Sequence, residues 1–278
     1  MKLALHHSAS DLKRFQEKVH RRIKKYFKFI LFLLRRRSRV TQPVFIMGYG
    51  RSGTSMLLNT FERDLRVDVF GENDARVAEN YRLVHDKISP AIEACKTNVL
   101  VMKPILNSFD VSSIMNDYRR VKIIWAWRNY QDVVASALKE FGPDVPNYLR
   151  EIVLDDKGSN WISESLPSDS LEILRGLDST SFTDNDWMAL IWWAVNRTVI
   201  VHDLSDKERF LLISYEQVVQ DVDVYIRNIY NFIGLPYKQP GSYMHTASVK
   251  KGAKIKLSAV VDKMCASLCH ELERRAQF

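Results

Sequence analysis

Residues 43–58 read PVFIMGYGRSGTSMLL. An apolar run, Val44 to Met47, stops at Gly48, crosses a loop with two more glycines, and resumes as a helical pattern from about Thr54. A strand, a tight glycine turn and a helix start together present backbone N–H groups and the positive end of a helix to an anion. The loop is a candidate phosphate cradle.

Its spacing allows a closer comparison. Gly48 and Gly53 frame a G-x-x-x-x-G pattern, but Thr54 stands where a nucleoside-triphosphatase loop carries lysine. The basic group lies inside the loop instead, at Arg51. Without that lysine the loop is less suited to a triphosphate with its magnesium, and an internal arginine fits another anionic donor. A glycine-rich turn can also be tight packing and nothing more.

Working outward, the strands and helices that follow place further polar residues in comparable positions. Val67, Val69 and Phe70 suggest a short strand ending at Gly71, with Glu72 just beyond it, and Asn73 or Asp74 is read as the cap of a helix from Ala75 to about Ile88. Val99 to Met102 is a strand that ends at Lys103 and Pro104, since proline cannot continue the ladder. Val121 to Trp127 (VKIIWAW) is another, followed by RNYQDVVAS, where Asn129 caps a helix and Asp132 is an acid in its first turn. Arg128 opposes the dipole of that helix, so it is better explained by a bound anion than by helix stability. Residues 142–183 are broken by Gly142, Pro143, Pro146, Gly158 and Pro167, the composition of a lid, an acceptor-binding insertion or an ordinary loop. A long helix, apolar nearly all round, starts at Asp184 or Asn185 and runs to about Leu204. Phe210 to Ser214 is a fourth clear strand, followed by Tyr215 and Glu216, and a helix from about Asp221 to Phe232 ends at Gly234. Ser248 to Lys256 (SVKKGAKIK) is a basic loop.

Alternating strands and helices predict an α/β fold in three layers, with a central, mostly parallel sheet and helices on both faces. The flagged positions, 48 to 55, 72, 103, 128 and 215, all fall at or just past the C-terminal ends of strands, where ligands of open α/β sheets collect. That clustering outweighs any single position.

Charge divides the chain in two. Of 41 Lys/Arg and 33 Asp/Glu, residues 1–40 hold 13 and 2, leaving a nearly neutral body of 28 and 31. The domain reading is a basic arm, 1–40, and a single-domain body, 41–278. Within the arm, Leu12, Phe15, Val19, Ile23, Tyr26, Phe27, Ile30, Leu31 and Leu34 recur at helical steps with Lys and Arg between them, a basic amphipathic helix over residues 11–37. Its uninterrupted apolar run, Phe29 to Leu34, is far shorter than the roughly 20 residues of a membrane span. It reads either as an arm for an anionic membrane surface or as a helix packed on the body, with a cytoplasmic, peripheral setting and no nucleic-acid partner. Cys95, Cys265 and Cys269 are too few for a disulfide framework and complete no metal spacing.

At this point the motifs resemble a known family. GYGRSGTSML is similar to the 5′-phosphosulfate loop of sulfotransferases, and RNYQDVVAS, with Arg128 and Ser136, resembles their 3′-phosphate motif. LLISYEQVVQDVDVYIRNIYNFIGLP resembles the family's strand and helix with a Tyr-Glu pair, and SVKKGAKIK its C-terminal basic loop. The resemblance runs in order from Pro43 to Leu257. It implies a donor, 3′-phosphoadenosine 5′-phosphosulfate (PAPS), leaving as 3′-phosphoadenosine 5′-phosphate (PAP), and an acceptor hydroxyl or amine; the basic arm favours a hydroxyl on a saccharide, glycolipid or similar molecule. It places the phosphosulfate on Arg51, Ser52, Gly53, Thr54 and Ser55, and the 3′-phosphate on Arg128 and Ser136. Tyr215 and the loop residues Ser248, Lys250, Lys251, Gly252 and Lys256 would close over the nucleotide. The arginine-loop variant is similar to tyrosylprotein and many bacterial members, which carries a base over to Glu72 and a charge-stabilising lysine to Lys103. The chain departs from the cytosolic small-molecule type at Arg51, at Met56 where that type has tryptophan, and at Lys250, Lys251 and Gly252; the histidine base of that type has no counterpart. No metal is expected in the chemistry, and activity in EDTA follows. Two rivals stand beside this reading: a P-loop kinase or other NTPase, and a non-catalytic membrane-associated nucleotide-binding module.

Overall fold

The computed structural model describes Ile23, Tyr26, Phe27, Ile30 and Leu34 together with residues 40–155, 160–237 and 255–276. A five-stranded sheet forms the centre: β1 (Gln42–Met47), β2 (Val67–Phe70), β5 (Val99–Met102), β6 (Lys122–Trp127) and β7 (Phe210–Ser214), in the order β2-β5-β1-β6-β7. Every pairing is parallel. Continuous apolar runs are what a parallel sheet covered on both faces demands. Alternation then sorts the side chains: Phe45 and Met47 face one layer, Val44 and Ile46 the other.

On the Val44 face lie α1 (Thr54–Glu62), α8 (Tyr215–Gln220) and α9 (Val222–Phe232), which bury Leu57, Phe61, Val218, Ile226 and Ile229. On the Phe45 face lie α4 (Tyr130–Phe141), α7 (Asp184–Val201) and α10 (Ala259–Arg275), with α5 (Asp144–Leu154) packed on α7. α7 is buried from Trp187 to Asn196 without a break, as its all-round apolar sequence predicts. It begins where Thr183 donates its N–H and its hydroxyl to Asp186 Oδ2, both at 2.8 Å. The indole N–H of Trp125, fully buried, donates to Asn196 Oδ1 at 3.1 Å and so joins β6 to α7.

One expectation fails. The segment after Glu72 is not a helix from Ala75; it turns once and forms a two-stranded hairpin, β3 (Ala78–Glu79) and β4 (Arg82–Leu83), before α2 (His85–Ala94). Asn80 and Tyr81 make the turn with φ of 48° and 64°. Two left-handed residues in a two-residue connection match the twist of a hairpin and break a helix. Long-range bonds hold it: Leu83 N–H donates to Asn107 Oδ1 at 2.9 Å, and Arg82 reaches Glu164 at 2.6 Å.

β1 is central, and the chain passes from it first to β2 and β5 on one side, then to β6 and β7 on the other. The crevice beyond its C-terminal end is the topological switch point at which doubly wound sheets bind ligands. The described residues of the N-terminal arm are helical and exposed. Among the described residues, no helix is long and apolar enough to cross a membrane.

Candidate active site

The loop leaving β1 has the backbone its glycines suggest. Gly48, Arg51 and Gly53 have φ of 118°, 68° and 87°. A Cβ on Gly48 would lie 2.2 Å from the carbonyl oxygen of Ala126, so only glycine lets the loop start against β6. A Cβ on Gly53 would lie 2.6 Å from the ring of Tyr215, which covers the turn into α1. Met56 and Leu57 are bonded back to Gly53 O, at 3.0 and 3.2 Å, so the first N–H groups of α1 lie ahead of the helical ladder, where an anion is favoured.

Three groups of side chains converge here. In the first, Lys103 Nζ, at the end of β5, donates to Ser55 Oγ at 2.9 Å and pairs with Glu72 Oε1 at 2.5 Å. Lys103 is buried while Glu72, at the end of β2, stays partly exposed. The two residues that the sequence left on separate strand ends thus meet at the helix start of the loop. Beside them Gly71, Val77, Ala78, Leu83, Met102 and Pro104 close in on the pair and leave no room for a water molecule between them. These neighbours are apolar.

In the second, Arg51 Nε donates to Ser136 Oγ at 3.0 Å, and its guanidinium stands 3.5 Å from Glu140. This contact ties the loop to α4, joining the two stretches read as separate anion sites. In the third, Arg128 is 4 % exposed, with Nη2 on Asp132 Oδ2 at 3.0 Å, Nη1 3.4 Å from Arg51 O and its guanidinium 4.6 Å from the Tyr215 ring centre. Its charge is held by an acid one helical turn on, a partner that the sequence reading assigned only to the helix dipole.

Several contacts here carry no local sequence signal. Ser108, fully buried, accepts from Gly48 N–H at 3.0 Å and anchors the loop from 60 positions away. Glu216 accepts from Asn129 N–H at 3.0 Å and from the Ser214 hydroxyl at 2.9 Å, fixing β7 against the start of α4. Trp192 donates to Arg128 O at 3.0 Å. Of the basic loop, Ser248, Lys250, Lys251 and Gly252 lie outside the described residues, while Lys256 is exposed and accepts at its carbonyl from Asn185 at 3.3 Å.

A family model described as the sulfotransferase domain matches residues 41–263. The chain belongs to the sulfotransferase family. It is accordingly a PAPS-dependent transferase of sulfuryl groups. Among solved structures it is similar to the sulfotransferase domain of the Synechococcus PCC 7002 olefin synthase, with 13% identity over 86% of this chain and 97% of that one, at a TM-score of 0.51. A sulfotransferase from Alicyclobacillus acidocaldarius (14% identity, 86% and 95% covered, TM-score 0.48) and a mouse sulfotransferase complexed with PAP (15%, 86% and 65%, 0.43) are also similar. No curated protein matches the sequence.

The sulfotransferase loop fits an anionic donor. Ser52 Oγ is buried with no hydrogen-bond partner in the protein, which leaves a polar atom to be satisfied by a ligand. The neighbouring glycine leaves no room for a side chain beneath Tyr215. Among the described residues no group of three or more His, Cys, Asp or Glu is arranged to hold a metal ion.

Proposed function

We propose that this sulfotransferase moves the sulfuryl group of PAPS to an acceptor hydroxyl by in-line displacement, with Glu72 as general base. The observation that carries the reading is the Lys103 ammonium held between Ser55, at the helix start of the loop, and Glu72. It puts a proton acceptor and a cation at one point beside the anion cradle.

PAPS supplies, when bound, a sulfuryl group activated by a phosphate leaving group. Arg51, Ser52, Gly53, Thr54 and Ser55 are the residues that would hold its 5′ end, Arg128 and Ser136 its 3′-phosphate, with Tyr215 and the basic loop including Lys256 over the nucleotide. Glu72 takes the proton of the acceptor hydroxyl as the acceptor oxygen bonds to sulfur; the bond from sulfur to the bridging phosphate oxygen breaks, and PAP departs. Such a base is typically worth about 10² to 10⁴-fold. Lys103, Arg51 and the loop N–H groups meet the charge that grows on the departing oxygen, the largest source of stabilisation in transfers of this kind.

The acceptor, a hydroxyl on a saccharide, glycolipid or similar molecule, approaches Glu72 from its solvent-exposed side. Residues 142–183 serve as an acceptor-binding insertion: Glu164 ties them to the hairpin through Arg82, and Trp161 stacks on Phe109 with ring centres 5.8 Å apart.

The test is radiolabelled transfer from PAPS to a panel of glycolipids, saccharides, peptides and small alcohols, run with wild type and Glu72→Gln. The reading predicts a labelled product with wild type, a loss of at least about 10² in rate with the variant, and unchanged PAP affinity. Transfer undiminished in Glu72→Gln would remove Glu72 from the chemistry.

A further inference from the structure

We infer that the N-terminal arm docks the protein on anionic lipid bilayers, lying in the interface with Ile23, Tyr26, Phe27, Ile30 and Leu34 inserted. These five residues are helical and between 45 and 75 % exposed. At the helical step of about 100° per residue they form one stripe about 100° wide, the width of a face that is normally buried. Elsewhere the exposed large apolar residues, such as Phe141, Val201 and Val260, stand singly on separate elements. Isolated exposures need no partner; a five-residue stripe does. Among the described residues, the body does not cover this stripe.

Charge selects the occupant. Arg21, Arg22, Lys24, Lys25 and Lys28, then Arg35, Arg36 and Arg37, interleave with the stripe in sequence, and the arm carries 13 basic and 2 acidic residues against 28 and 31 in the remainder. Attraction to an anionic surface is therefore concentrated on the segment that also carries the apolar stripe, the pairing that binds helices in the plane of a bilayer. A basic stretch serving nucleic acid gains from cations and can stack bases on aromatic rings, but gains nothing from Ile23, Ile30 and Leu34 along the same line. The arm enters β1 at its N-terminal end, about 20 Å along a six-residue strand from the loop at its other end.

The test is co-sedimentation of the full chain with vesicles of phosphatidylcholine alone and of phosphatidylcholine with an equal share of phosphatidylglycerol. Two variants accompany it: Phe27→Glu with Ile30→Glu, which breaks the stripe, and Lys24→Glu with Lys25→Glu and Lys28→Glu, which reverses charge. PAP affinity, equal in all three proteins, reports an intact body. The inference predicts at least about tenfold tighter binding to the anionic vesicles, weakened by salt, and at least about tenfold loss in each variant. Equal binding to both vesicles, no binding, or full binding by the stripe variant would overturn it. Binding to single-stranded RNA that persists in the stripe variant, with vesicles ignored, would assign the arm to nucleic acid instead.

Discussion

Replacing Lys103 by methionine removes one charge from the centre of the site while keeping most of the stem's volume. The ammonium contacts Ser55 at 2.9 Å and Glu72 at 2.5 Å, and its side chain is only 8 % exposed where that of Glu72 is 36 %. Two effects have to be separated. Breaking a fully buried ion pair costs about 3–5 kcal/mol because the remaining charge is stranded. Glu72 is not stranded; a third of it already meets water, so it can turn outward, and the stability loss should approach that of a surface pair, about 1 kcal/mol or less. For a body of this size that lowers Tm by only about 2–4 °C. The catalytic loss is larger. If Lys103 meets the charge on the departing oxygen, its removal resembles loss of an oxyanion-hole donor, about 2.7–4 kcal/mol, or 10² to 10³-fold in kcat. Turnover at saturating PAPS and a thermal melt measure both. A kcat within threefold of wild type, or a collapse of the melt with the activity of the folded fraction unchanged, would refute the assignment.

Three further outcomes follow from named geometry. Gly53→Ala forces a side chain into a φ of 87° and against Tyr215 at 2.6 Å; the left-handed backbone alone costs about 1–2 kcal/mol, and PAP titration should show a weakened site together with a lowered Tm. Tyr81→Gly should raise Tm, since a bulky residue at φ 64° in the hairpin turn is strained and Asn-Gly is the preferred pair there; a lowered Tm would mean that the ring makes a stabilising contact. Asp64 is buried, which alone would raise its pKa, but hydrogen bonds and charge from Arg66, at 2.9 Å to Oδ1, hold it below the usual carboxylate range. A depressed pKa gives stability that is present above the unfolded-state value and lost as pH falls through the folded one. Asp64→Asn should therefore destabilise at neutral pH, with the gap to wild type closing as pH falls below about 4, measured by denaturant unfolding across that range.

Much of this was legible in sequence, for a physical reason. Strands buried on both faces must be short apolar runs, and the runs at Val44, Val67, Val99, Lys122 and Phe210 all became strands of the central sheet. Glu72, Lys103, Arg128 and Tyr215 stood out because each follows such a run directly, and parallel strands bring their C-terminal ends to one edge. The hairpin was missed because Ala75 to Leu83 has helical composition; the Asn80–Tyr81 turn and the bond from Leu83 to Asn107 decide otherwise, and the second is tertiary. Ser108, and the bond from Asn129 to Glu216, were hidden for the same reason, since each side chain acts on backbone far away in sequence. The pairing of Asp132 with Arg128 could have been found, because the two stand four residues apart across the Asn129 cap.

The central claim is a donor site built on the 48–55 loop and on Arg128. Titration calorimetry of PAP tests it without any knowledge of the acceptor, with ATP-Mg as competitor and Arg128→Ala as control, its fold checked by circular dichroism. Tight PAP binding, much weaker ATP-Mg binding and loss of PAP in the folded variant are the predicted results. Preference for ATP-Mg, or PAP affinity indifferent to Arg128, would contradict the account.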